Sequence, residues 1–159
     1  MTQTTGGHWI DAYRRPGRLT GRCLCGAVEI TVDGDFIAAV GVCHCGLCQR
    51  WTGNTWGSFE ATAKAVTVQG EVAKYASTSF SERGFCPKCG THLYLRNTVG
   101  EDDPYDLLPG IFEGAAEFPL VSEIYTDCAP AYVPLAGDHR RKTRAEYEAT
   151  NLHIEGDLP

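Results

Sequence analysis

Gly21-Arg22-Cys23-Leu24-Cys25-Gly26 and Phe85-Cys86-Pro87-Lys88-Cys89-Gly90 share one design: two closely spaced thiols, then glycine. A Cys-x-x-Cys turn presents two sulfurs to one ion, and a following glycine lets the backbone double back tightly. Zinc takes four ligands in a tetrahedron, with sulfur at about 2.3 Å. Cys86 and Cys89 supply two, and Cys23 and Cys25 are the natural complement. The pairing predicts a closed four-thiolate site that staples the start of the domain to its middle.

Between these runs lies Cys43-His44-Cys45-Gly46-Leu47-Cys48. Three thiolates leave one tetrahedral position open, as in catalytic rather than structural zinc sites. A soft, open site suits an incoming thiolate. The opposing expectation is a closed, inert site in which Cys128 or His44 supplies the fourth ligand. His44 sits between two ligands, so its side chain is expected to point elsewhere, as a hydrogen-bond donor behind them or a proton carrier. Arg50 and Trp51, in the run Gln49-Arg50-Trp51-Thr52-Gly53-Asn54, are candidates for holding an anionic thiol ligand. Arg83 is a second candidate for a carboxylate contact. His92 reads as a strand residue, and His8, His139 and His153 as surface residues. No phosphate loop or Ser-His-Asp pattern is visible.

The 159 residues suit one domain, and 43% hydrophobic with 21% charged residues is a globular composition. A net charge of -6 argues against nucleic acid as the main partner. No apolar run approaches the ~20 residues that span a bilayer. The first residues are polar and lack a signal core, so the expected location is cytoplasmic. Thiols stay reduced there, which favours metal binding over disulfides.

Residues 1–18 read as a flexible leader, 19–135 as the zinc-binding domain and 136–159 as a tail, helical in part. Strands are expected over residues 27–32, ended by Asp33-Gly34, and over 36–43, 56–61, 66–68, 72–76, 92–95, 107–112 and 121–125. One helical turn is expected over 47–51 and a short helix over 141–149. Together these predict a mainly β domain with long loops. Exposed strand edges are compatible with a monomer or a homodimer.

The three cysteine runs, in order and internal spacing, resemble the glutathione-dependent formaldehyde-activating enzyme family, which includes centromere protein V. The resemblance rests on Gly21–Gly26, Cys43–Gly53 and Arg83–Leu93, and runs from about Leu19 to about Pro134. It implies a β-rich, Mss4-like fold and a closed zinc on Cys23, Cys25, Cys86 and Cys89. It implies a second zinc, tied to glutathione and catalysis, on Cys43, Cys45 and Cys48. The implied activity is that of a carbon–sulfur lyase, joining glutathione to formaldehyde as S-hydroxymethylglutathione. Cys128 departs from the family pattern. The competing expectations are a non-catalytic zinc-stabilised binding module and a thiol-redox protein on a related fold.

Overall fold

The structure is a computed structural model that describes residues 8–151. The fold class matches expectation: mainly β, with strands joined into an eleven-stranded sheet system. The strands are β1 (Arg14–Arg22), β2 (Glu29–Ile37), β3 (Val40–Cys43), β4 (Trp56–Ala61), β5 (Val66–Gln69), β6 (Ala73–Ala76), β7 (Ser81–Phe85), β8 (His92–Asn97), β9 (Tyr105–Leu107), β10 (Leu120–Ile124) and β11 (Arg140–Lys142). Two short helices, α1 (Gly46–Thr52) and α2 (Arg144–Glu148), complete the set with several 3-10 turns.

The main path runs β11-β10-β3-β4-β9-β8-β7-β6, with β1, β2 and β5 branching from β4. Most pairings are antiparallel, but β10 lies parallel to both β3 and β11. The core packs Ile30, Val32 and Phe36 of β2 against Phe59, Leu93, Leu107 and Phe112. Phe59 meets Phe112 edge to face at 5.2 Å, a favourable aromatic geometry.

Several expectations are corrected. From residue 9 onward the supposed leader is structured. Trp9–Tyr13 forms a 3-10 turn, and β1 pairs with β2 along its whole length, from Arg14↔Ile37 to Arg22↔Glu29. Residues 1–7 lie outside the described residues. Asp33-Gly34 does not end β2, because Gly34 faces Gly17 within the continuing ladder. The strand expected over 36–43 breaks at Ala38-Ala39 into β2 and β3. Pro109-Gly110 turns the strand expected over 107–112 into a 3-10 turn after β9. The expected C-terminal helix is shorter, with a capping box in which Thr143 and Glu146 satisfy each other's backbone N–H.

Candidate metal centre

The four-thiol group is built from two matching knuckles. In the first, the Gly26 N–H donates to the Cys23 carbonyl at 3.0 Å; in the second, the Gly90 N–H donates to Cys86 at 2.8 Å. Gly26 and Gly90 take φ of 75° and 74°, the left-handed conformation glycine adopts without steric cost. Cys23 follows β1 and Cys86 follows β7, so the strand ends bring the knuckles together. Thr91 ties them: its hydroxyl accepts from the Leu24 N–H at 3.0 Å and lies 3.1 Å from Cys89 Sγ. The hydroxyl and N–H of Thr91 hold the Cys89 thiol down to about 5.

The sulfurs of Cys23, Cys25, Cys86 and Cys89 all lie within 4.8 Å of one another. Cys23 and Cys25 are 3.6 Å apart, and Cys25 and Cys86 are 3.8 Å apart. A tetrahedral zinc–thiolate site requires sulfur separations of about 3.8 Å. The donor set and its spacing therefore fit zinc.

The three-thiol group forms where β3 gives way to α1. Cys43 ends β3, Cys45 is the N-cap of α1 and Cys48 lies inside it. Cys45 Sγ takes the capping role usually filled by oxygen, accepting from the Cys48 N–H at 3.4 Å. The Cys45 N–H in turn faces Cys43 Sγ at 3.5 Å. These three sulfurs also lie within 4.8 Å of one another, a soft donor set suited to zinc. Hydrogen bonds from Cys43 and Cys48 hold the Cys45 thiol far below its ordinary value, while hydrogen bonds to Cys45 and Cys48, and burial, push Cys43 far up.

Among the described residues, no fourth His, Cys, Asp or Glu joins this trio. His44 is fully buried and turned away, its Nε2 2.6 Å from Glu123 Oε1. Cys128 stands outside the group. Its carbonyl accepts from Gln49 Nε2 at 2.8 Å, and Gln49 also binds the His44 carbonyl. His139 is corrected from the surface to the interior: its side chain is 1% exposed, with Nε2 2.7 Å from Glu123 Oε2. Burial pushes the Glu123 carboxyl up, but hydrogen bonds to His139 and His44 outweigh it and leave it below its ordinary value. His92 begins β8 as expected, and His153 lies outside the described residues.

A cavity of about 680 Å³ opens beside the trio. Cys43, Cys45 and Cys48 line it with Arg83, Asp106 and, from α2, Tyr147. Arg50 and Trp51 do not line it. Arg50 is exposed, and Trp51 is packed on Tyr75, Phe85 and His92. Arg83 is the cation that reaches the sulfurs: it is 3% exposed and its Nη2 donates to Cys48 Sγ at 3.5 Å. Its guanidinium sits 5.8 Å from the ring centres of Trp51 and Trp56. Asp106 carries no motif, and the helix expected over 141–149 gave no sign that it would wall the cavity.

The chain is 34% identical over 111 residues to an uncharacterized lyase of Schizosaccharomyces pombe, covering 69% of this chain and 80% of that protein. The crystal structure of a Rhodobacter sphaeroides protein superposes with a TM-score of 0.51 at 25% identity, covering 64% of this chain and 99% of that one. The model of the family described as glutathione-dependent formaldehyde-activating enzyme matches residues 18–128, from within β1 to Cys128 and through both cysteine groups. The chain belongs to the glutathione-dependent formaldehyde-activating enzyme family.

Proposed function

We propose that this protein is a carbon–sulfur lyase-type enzyme that joins a small thiol, glutathione, to a small aldehyde, formaldehyde, giving S-hydroxymethylglutathione. The observation that carries this reading is the contrast between the two cysteine groups: four sulfurs meet at one, while three line a cavity at the other. Family membership and the lyase name of the yeast relative point the same way.

A zinc ion held by Cys43, Cys45 and Cys48 would keep a thiol in its remaining position deprotonated at neutral pH. The chain's own residues prepare the rest. Arg83 places a buried positive charge beside Cys48, offsetting negative charge that gathers when several thiolates share one site. Gln49 clamps the backbone of the His44 turn to that of Cys128, fixing the cavity wall. The volume of about 680 Å³ falls within the range of pockets for drug-sized ligands and far exceeds the needs of formaldehyde alone. A tripeptide thiol is the occupant that uses it.

The test uses zinc-loaded protein. Titration calorimetry with glutathione should show saturable heat, and exchange NMR with ¹³C-formaldehyde should show faster formation of the hydroxymethyl adduct than in protein-free buffer. Absence of both at millimolar thiol would sink the reading.

A further inference from the structure

We infer that Asp106 is the general acid of this site, delivering a proton to the aldehyde oxygen as the carbon–sulfur bond forms. The inference rests on the thiol-addition reading above and adds the residue that completes it.

Any addition of a thiol to an aldehyde needs a proton source, and a positioned acid speeds the step over water. The sulfur loses its proton to solvent on becoming a thiolate and attacks the carbonyl carbon. The C–S bond forms, and the carbon–oxygen π pair moves onto oxygen. A proton on that oxygen completes the hydroxymethyl group, and the donor then recovers a proton from solvent. Thiol plus aldehyde gives adduct, with nothing oxidised or reduced.

Among the residues lining the cavity, the other proton carriers are ill suited, and the Cys128 thiol is pushed up by burial and by the Asp127 charge. Tyr125 donates to Glu148 at 3.3 Å, and Glu148 is also held by Arg144 Nε at 3.0 Å. Tyr147 is pushed up to about 12 by burial, and by the charges of Cys43 and Asp106. His44 is turned to Glu123 and away from the cavity. Asp106 lines the cavity, and the one hydrogen bond to its carboxyl among the described residues is a long one from Ser58 Oγ at 3.5 Å. Its carboxyl therefore keeps capacity for a substrate.

The fold strengthens that carboxyl's hold on its proton. Asp106 stands directly opposite Glu60 in the β4–β9 ladder, and two acids in register repel. Glu60 has Arg14 Nη2 at 3.6 Å, whereas the Asp106 carboxyl has no such ion pair among the described residues. Burial, then the Glu60 charge, raise Asp106 to about 7, against smaller opposing effects of Ser58 and Arg83. An acid poised near the working pH is the efficient proton donor. The groups facing Asp106 are Glu60 from β4, Arg83 from β7 and Tyr147 from α2. On β8 it faces Leu95, while the neighbouring Arg96 binds the carbonyls of Asp103 and Glu101 and the Tyr105 hydroxyl instead.

The decisive variant is Asp106→Asn in the zinc-loaded full chain, assayed by formaldehyde–glutathione exchange NMR from pH 5.5 to 9. The wild-type, protein-dependent rate should hold steady below pH ~7 and fall above it as the acid is lost. Asp106→Asn should lower the rate about 100-fold and abolish that falling limb, with glutathione heat unchanged within about twofold. Ser58→Ala, which removes a bond that favours the carboxylate, should shift the limb to higher pH and provides the test if Asp106→Asn does not fold. Equal rates and superimposable pH profiles for wild type and Asp106→Asn overturn the inference and leave the thiol-addition reading intact. So does a Ser58→Ala limb that does not move. No acceleration by wild type, with no glutathione heat, overturns the thiol-addition reading itself.

Discussion

Arg83 shows how much one side chain carries here. Its Nε donates to Ser77 at 3.2 Å, its Nη2 to Cys48 Sγ at 3.5 Å, and its guanidinium carbon lies 5.8 Å from the ring centres of Trp51 and Trp56. A buried guanidinium without anionic company is costly, so its place beside the three-thiol group signals negative charge there. Among the described residues Nη1 has no hydrogen-bond partner, which leaves part of that cost unmet. Arg83→Lys keeps the charge but cannot span Ser77 and Cys48 with one compact ammonium. We expect it to bind glutathione about tenfold more weakly, a loss of about 1.4 kcal/mol, by calorimetry on zinc-loaded protein. Affinity equal to wild type would mean that Arg83 serves packing alone. Asp106 offers a second residue-scale prediction. Its carboxyl is raised to about 7, so the folded state holds a proton that the unfolded chain releases near pH 4. Folding is therefore favoured more below pH ~7 than above it by this group. Asp106→Asn should raise Tm relative to wild type at pH 8.5, with the advantage shrinking toward pH 5.

At the scale of elements, local chemistry was legible and tertiary placement was not. The knuckles announced themselves because thiol spacing and the following glycine act within a few residues. β7 went unrecognised because its inward positions, Ser81 and Arg83, are polar, so the alternation that marks a half-buried strand reads backwards. β1 was hidden for a different reason. It is almost wholly exposed, carries Pro16, and owes its existence to pairing with β2. Arg50 and Trp51 were expected to hold the ligand because they follow the cysteines in sequence. Helix α1 instead turns Arg50 to solvent and Trp51 into an aromatic stack. The attachment of β11 to β10 was equally invisible, since it depends on Glu123 meeting His44, His139 and, at 3.4 Å, Arg141 Nε. That cluster has a signed pH dependence. The Glu123 carboxyl lies below its ordinary value, so its stabilisation is complete above pH ~4.5 and is lost as pH falls through the lower, folded-state value. Glu123→Gln leaves two buried imidazoles without a carboxylate and should cost about 2 kcal/mol at pH 7 by urea denaturation. Its stability should also fall less than that of wild type between pH 4.5 and 3. Parallel curves for the two proteins would remove Glu123 as the cause.

Across the whole molecule the two cysteine groups divide labour by where they sit in the topology. The four-thiol group joins the end of the β1–β2 hairpin to the end of the β7–β8 hairpin. These hairpins are not sheet neighbours; among strands they communicate only through β4 and β9. An ion there closes a long loop in the architecture, and structural zinc binding at neutral pH reaches about 10 kcal/mol or more in small domains. That rivals the entire stability of an ordinary domain, about 5–15 kcal/mol. The three-thiol group, by contrast, is confined to one β3–α1 turn and closes no such loop. Cys86→Ser, at a fully buried position, should therefore abolish the cooperative thermal transition in circular dichroism. Cys45→Ser should melt cooperatively within about 4 °C of wild type, the shift expected from roughly 1 kcal/mol in a chain of this size. Native mass spectrometry should then find two zinc ions on wild type and one on Cys45→Ser, and the latter should give no glutathione heat. If both variants unfold alike, the trio is a structural clamp like its neighbour and the division between scaffold and reaction site is wrong. If Cys45→Ser retains two ions and full thiol binding, the reaction site lies elsewhere.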